Sequence, residues 1–223
     1  MKITGIFHSI ISKFCGIKLQ IKINYLWFGS NYGGFYLNPD YLDNKSVIYS
    51  FGLGEDISFD LAVINKFKCK VYGFDPTPKS LNYVKQFYQK NLIVSGVGIG
   101  NAKGTLKFYL PKNPDHVSGS LLKNSQLDSQ IEVKVDKLVN LAGFYRHKEI
   151  DVLKMDIEGA EFDVIPDILN SNIYVKQLLV EFHPRFYLDG YIRLFRTLKL
   201  LKSHGYLCYA ISSSYNELSF LKV

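Results

Sequence analysis

The sequence predicts an α/β fold: a mostly parallel sheet, helices on both faces and an antiparallel edge strand. Three observations predict it. Short apolar runs, VIYSF at 47–51, KVYGF at 70–74 and DVLKMD at 151–156, alternate with stretches of helical period. The chain closes on two apolar runs, LCYAIS and ELSFL, with no helix after them, which suits an antiparallel strand at the end of such a sheet. The unusual polar clusters also fall at carboxyl ends of the expected strands, where ligands sit in this architecture: Gly52 to Asp56, Asp75, Ser95 to Gly98, Asp156 to Glu161, and Glu181 to His183.

The elements follow in order. MKITGIFHSIISKFCGIK has apolar residues at 3, 6, 7, 10, 11 and 14, a helical period too short and too interrupted to span a bilayer. Packing on the domain is the first reading of this helix, and peripheral contact with a membrane surface the second. Residues 20–45 are rich in turns, with a tight hairpin expected at Gly33 and Gly34. Residues 1–45 thus form an extension that packs on a domain of residues 46–223. After the strand at 47–51 come a helix at 57–66, the strand at 70–74 and a helix at 79–90, opened by Pro76-Thr77-Pro78. A strand at 92–96 follows. Gly100 to Gly104 is a turn before TLKFYL, which alternates as a half-buried strand does, and IEVKVDKL alternates again. Between them lies a polar loop, 111–126, whose part from His116 to Ser120 is a candidate gate for substrate. The strand at 151–156 leads to a helix beginning near Glu158. A strand at 177–182, a helix at 190–204 and the two closing strands complete the domain.

Composition narrows the class. The chain has 223 residues, suited to a single core, with 47 % hydrophobic and 21 % charged residues, as in soluble globular proteins. A net charge of +7 favours acidic partners, but the charges are scattered and no aromatic-flanked basic stripe marks a nucleic-acid reader. No nucleic acid is therefore expected as partner. Three cysteines without paired spacing argue against a disulfide framework or zinc cluster and for a reducing compartment. The expected location is cytoplasmic, with the membrane periphery as its variant.

The turn after the first strand identifies the ligand class. Gly52-Leu53-Gly54 lets backbone approach a ligand, and Asp75, at the end of the next strand, is placed to accept ribose hydroxyls. A dinucleotide site asks for a third glycine where Ile57 stands, and no GK[ST] phosphate loop is present. S-adenosylmethionine remains: it carries no phosphate and needs a short turn, an acid and an adenine slot.

VIYSFGLGEDISFDLAVI, VYGFDPTPKS, IDVLKMDIEGAEFDVI and LLVEFHPRF together resemble the FkbM family of S-adenosylmethionine-dependent methyltransferases, over roughly residues 29–185. The resemblance implies a class I methyltransferase (Rossmann-like) fold and O-methylation of a sugar, glycan or small-molecule hydroxyl. Carried onto this chain, it implies that Gly52 and Gly54 line the cofactor turn, Asp75 binds the ribose, and Thr77, Val97 and Gly98 edge the adenine. Ser50 and Asp56 depart from the class, which generally has an acid and a third glycine at those places. Glu55 or Asp56 is then expected at the methionine part, with a helix N-cap as the alternative role for Asp56.

Methylating a hydroxyl requires removal of its proton as the oxygen attacks. Asp156, Glu181 and His183 stand at two neighbouring strand ends. His183 can act as general base oriented by a carboxylate, or the three can hold a divalent metal such as Mg²⁺ that lowers the hydroxyl's pKa. Lys154 and Glu161 are expected as a supporting polar pair, and Arg185 and Tyr187 as contacts to an acidic group on the substrate. The alternatives to a glycan or small-molecule acceptor are nucleic-acid methylation and a cofactor-binding scaffold without catalysis.

Overall fold

The computed structural model describes residues 16–111 and 127–223. The expected N-terminal helix and the loop from His116 to Ser120 lie outside the described residues. Two short strands, β1 (Leu26–Phe28) and β2 (Phe35–Leu37), pair as the antiparallel hairpin expected around Gly33 and Gly34. β3 (Val47–Phe51) leads through α1 (Ser58–Phe67) to β4 (Lys70–Phe74), and α2 (Pro78–Val84) carries the chain to β5 (Leu92–Ser95). β6 (Gly98–Ile99), β7 (Gly104–Pro111) and β8 (Leu127–Asp136) make a small separate sheet. The chain then runs through α3 (Leu138–Phe144), β9 (Glu149–Met155), α4 (Glu161–Leu169), β10 (Tyr174–Glu181), α5 (Gly190–Ser203), β11 (Tyr206–Ile211) and β12 (Glu217–Lys222).

The large sheet has the order β11-β12-β10-β9-β3-β4-β5. β10, β9, β3, β4 and β5 are parallel, and β12 runs against both of its neighbours at the far end. From β3 the chain builds outward to β5, then returns to place β9 on the other side of β3. That reversal makes the carboxyl ends of β3 and β9 the switch point at which sheets of this kind bind ligands. The central strands are buried on both faces, which is why they read as near-continuous apolar runs. Alternate residues serve opposite faces: Tyr49, Leu153 and Leu178 join the core under α3, α4 and α5, whereas Ile48, Val152 and Leu179 join the core under α1.

On the α1 face the hairpin covers sheet surface as a helix would. Phe35 packs edge-on against Phe59 of α1 with ring centroids 5.9 Å apart, and both are buried. Behind it, Gln177 of β10 accepts from the Asn38 N–H at 3.1 Å and from the Tyr209 hydroxyl at 2.8 Å, and donates to the Asn38 carbonyl at 3.1 Å. This buried amide ties the chain after β2 to the sheet, with each of its polar groups satisfied.

Three of the differences from expectation have local reasons. α2 ends at Val84 rather than at 90, because Phe87 and Tyr88 are exposed and the next turn would have no apolar surface to cover. α4 starts at Glu161 because Glu158 and Gly159 have φ of 54° and 106°, left-handed values that a right-handed helix excludes. Residue 138 opens α3 rather than ending a strand; the spacing of Leu138, Leu141 and Ala142 on one buried face was its signal. Among the described residues no helix is long and apolar enough to cross a membrane.

Candidate active site

The glycine turn is shaped by contact between β3 and β9. Gly52 has φ of 77°, and a Cβ there would lie 1.7 Å from the main-chain oxygen of Asp156. Its carbonyl accepts from the Lys154 ammonium at 2.8 Å, and its N–H donates to the Phe74 carbonyl at 3.0 Å. The turn is thereby held to the ends of both flanking strands.

Asp75 closes the turn from the β4 side. One carboxylate oxygen accepts from the N–H groups of Leu53 and Gly54, each at 3.0 Å. The other accepts from the Thr77 N–H at 2.9 Å and the Thr77 hydroxyl at 2.6 Å. A carboxylate has about four acceptor positions, and the chain's own donors supply four here. Val97 and Gly98 follow β5, and a Cβ at Gly98 would lie 3.1 Å from the Pro76 ring, so these positions border the same turn. Asp56 accepts from the Ser30 hydroxyl and from the Ser58 N–H at 2.8 Å, binding the hairpin to the start of α1; the Ser30 and Ser58 bonds hold its carboxyl below the usual range against the opposing effect of burial. Gly33 backs onto that carboxylate. Glu55 points elsewhere, pairing with Lys79 at 2.8 Å.

This donor set fits S-adenosylmethionine in kind: a turn with positive-φ glycines and an acid on the adjoining strand, both at the sheet's reversal point. Thr77 hydroxyl is the one side-chain donor on Asp75 that can rotate away to admit a ribose hydroxyl.

Beyond β9 and β10 lies a cluster of four carboxylates around one imidazole. His183 is 1 % exposed. Its Nδ1 lies 2.9 Å from Glu161 Oε1, and the same oxygen accepts from the N–H groups of Gly159 at 3.0 Å and Ile157 at 3.3 Å. Nε2 faces Glu158 Oε2 at 3.4 Å, Glu181 Oε1 at 3.5 Å and Asp156 Oδ1 at 3.7 Å. Burial alone would push the imidazole down, but Glu161, then Asp156 and Glu158, outweigh it and hold the ring's pKa up. Burial, followed by the charge on Asp156, raises Glu181 well above the carboxylate range, with His183 pulling the other way.

The structure therefore brings Asp156, Glu181 and His183 together and adds Glu158 and Glu161, with distinct places. Lys154 and Glu161 do not pair with each other: Lys154 serves Gly52, and Glu161 serves His183. Tyr187 is committed to the Gly159 carbonyl, its hydroxyl donating at 2.8 Å, while Arg185 is exposed and stacked over Phe186. The left-handed backbone that places Glu158 has no local signal beyond the glycine that follows it.

A family model described as the methyltransferase FkbM domain matches residues 46–208. The human "Probable methyltransferase-like protein 24" is 26 % identical over 149 residues, which are 64 % of this chain and 35 % of that protein. The chain thus spans about a third of the length of this curated relative. Among solved structures, an rRNA methylase from Streptococcus thermophilus covers 100 % of this chain and 98 % of its own at 12 % identity and a TM-score of 0.45. Aeropyrum pernix fibrillarin with bound S-adenosyl-L-methionine covers 92 % and 84 % at 11 % identity and a TM-score of 0.43. Neither likeness is close, and no substrate is inferred from either.

Proposed function

The chain belongs to the FkbM methyltransferase family, and from that premise we propose that it transfers the methyl group of S-adenosylmethionine to a hydroxyl of a sugar, glycan or other small molecule. The observation that carries this reading is the position of the carboxylate cluster. Asp156, one of its members, is also the residue whose main chain touches Gly52, so the acids stand directly beside the cofactor turn.

In the transfer, the substrate oxygen bonds to the methyl carbon while the carbon–sulfur bond breaks. The electron pair stays on sulfur, leaving S-adenosylhomocysteine, and the hydroxyl proton passes to a base. In-line placement of the oxygen supplies much of the rate. Asp156 and Glu181, whose side chains are 28 % and 18 % exposed, are the acceptors open to substrate. His183 lies behind them with 1 % exposure and acts as a positioning residue whose charge balances the acids. The sequence leaves open His183 as base or a metal held by Asp156, Glu181 and His183; the burial of His183 favours the carboxylates as base, acting alone or through an ion they hold.

Two measurements on the purified chain test the proposal. Calorimetric titration with S-adenosylhomocysteine is expected to give one site per chain. Transfer of label from methyl-labelled S-adenosylmethionine to a panel of nucleotide sugars, oligosaccharides and small alcohols is expected to yield an alkali-stable methyl ether. Absence of S-adenosylhomocysteine binding would overturn the donor, leaving a scaffold role. Label found solely in RNA, or as an alkali-labile ester, would overturn the acceptor.

A further inference from the structure

We propose that Asp156, Glu158 and His183 form a divalent-cation site bordered by Glu181, with Glu161 as the residue that sets the histidine for it. A group of acids would not by itself make such a site. The imidazole supplies the independent observation: it is 1 % exposed and its Nε2 points into the acids at 3.4 to 3.7 Å, beyond good hydrogen-bond distance, while Asp156 Oδ1 opposite it is buried without a hydrogen-bond partner among the described residues.

Glu161 determines what Nε2 offers. It is fully buried, and its Oε1 is already held by two backbone N–H groups when it meets His183 Nδ1. A carboxylate can only accept there, so Nδ1 donates, and Nε2 is the nitrogen left for an ion, giving up the proton it holds in the charged ring when a cation binds. A histidine whose far nitrogen donates to a carboxylate is the arrangement that orients metal-bound imidazoles.

The distances agree with one ion. Nε2 lies 3.4, 3.5 and 3.7 Å from oxygens of Glu158, Glu181 and Asp156, longer than good N–H···O hydrogen bonds. Donors at about 2.1 Å from one ion are about 3.0 Å apart along an octahedral edge and about 3.4 Å along a tetrahedral one. Asp156, Glu158 and His183 each offer an atom within 4.8 Å of the others. Two carboxylate oxygens and one imidazole nitrogen, with water completing the shell, suit Mg²⁺ or Mn²⁺, with room for Zn²⁺. Placing Glu158 here requires the left-handed backbone it adopts, φ 54°. Binding of the ion stands on this donor set alone; its use, lowering the pKa of a bound hydroxyl, rests on the hydroxyl-methylation reading.

The test titrates Mn²⁺ into EDTA-stripped full chain, following the free-ion signal by electron paramagnetic resonance. One site per chain is expected, displaced by Mg²⁺, with nitrogen modulation from one imidazole. Glu158→Gln should weaken Mn²⁺ about tenfold or more while S-adenosylhomocysteine affinity persists, and His183→Gln should abolish the nitrogen modulation. If His183→Gln does not fold, Glu158→Gln carries the test, its side chain being partly exposed at the surface of the cluster. Absence of binding up to about 1 mM Mn²⁺, or binding indifferent to Glu158→Gln, would overturn the site and leave the histidinium as the cluster's counter-charge. Mn²⁺ binding without S-adenosylhomocysteine binding would keep the cation site and sink the methyl-donor reading instead.

Discussion

Replacing Gly52 by alanine should dismantle the site from a single methyl group. The new Cβ would lie 1.7 Å from the Asp156 main-chain oxygen, whereas real Cβ contacts essentially never fall under 3.0 Å, so β3 and β9 must part by about 1.3 Å. They cannot part freely: the Asp156 N–H donates to the Phe51 carbonyl at 3.0 Å, and Lys154 binds the Gly52 carbonyl at 2.8 Å. A left-handed φ at a residue with a side chain costs about 1–2 kcal/mol, and forcing volume into a packed site about 1–3 kcal/mol. At about 2–4 °C per kcal/mol for a chain of this size, the melting temperature should fall by roughly 5–15 °C. Because Asp156 moves with its backbone, S-adenosylhomocysteine binding should fail together with stability. Gly143→Ala is the control. Nothing lies within 4 Å of a Cβ there, and the position is inside α3, so alanine should stabilise by about 0.5–1 kcal/mol. The reasoning would be refuted by a Gly52→Ala protein that melts within about 2 °C of the parent and binds S-adenosylhomocysteine normally.

Other expectations follow from the same structure. Gln177→Leu strands the Asn38 carbonyl and leaves the Tyr209 hydroxyl, still accepting from the Asn38 N–H, without its acceptor; it should cost about 2–4 kcal/mol, read as a shifted urea midpoint at constant slope, and an unshifted midpoint would mean water replaces the amide. Lys154→Met leaves the Gly52 carbonyl unpaired and buried Asp60 without its neighbouring cation, a loss of about 3–5 kcal/mol that adding Asp60→Asn should partly restore; strictly additive losses would deny the coupling. Burial holds the Asp60 carboxyl above its ordinary 3.8, with Lys154 opposing, so the unfolded chain ionises first. Its contribution is therefore full below about pH 4 and is lost as pH rises through the folded value, and Asp60→Asn should flatten the melting temperature against pH from about 4 upward. Thr77→Val frees one acceptor position on Asp75, and S-adenosylhomocysteine affinity should hold within about threefold; a tenfold loss would mean Thr77 itself contacts the cofactor. Asp75→Ala is the poorer probe, since it also strips the acceptor from two backbone N–H groups.

The backbone plan was legible because local chemistry dictates it. VIYSF and KVYGF are near-continuous apolar runs, as in strands buried on both faces, and the positive-φ glycines Gly52 and Gly54 end the first before α1 begins. The polar residues of the site were legible for the same reason: they stand at strand ends, where apolar demand stops. Their division of labour was not. Gly52 reads as a glycine for a ligand, yet the contact that forbids a side chain comes from Asp156. Asp75 reads as a ribose acceptor, yet its oxygens already brace Leu53, Gly54 and Thr77. Glu158 and Glu161 read as two acids opening a helix, yet one faces His183 from a left-handed turn and the other lies beneath it as its anchor.

By itself, then, the sequence determined the order of the main strands and helices, though not α3 or β6, together with the residue types at their ends and the family. The tertiary structure alone decided that β9 lies against β3, and with it which acid meets which nitrogen. The physical reason is that apolar periodicity and turn chemistry act over a few neighbouring residues. The direction of a carboxylate beyond a strand end depends on one or two backbone angles and on a partner that the sheet brings from far along the chain.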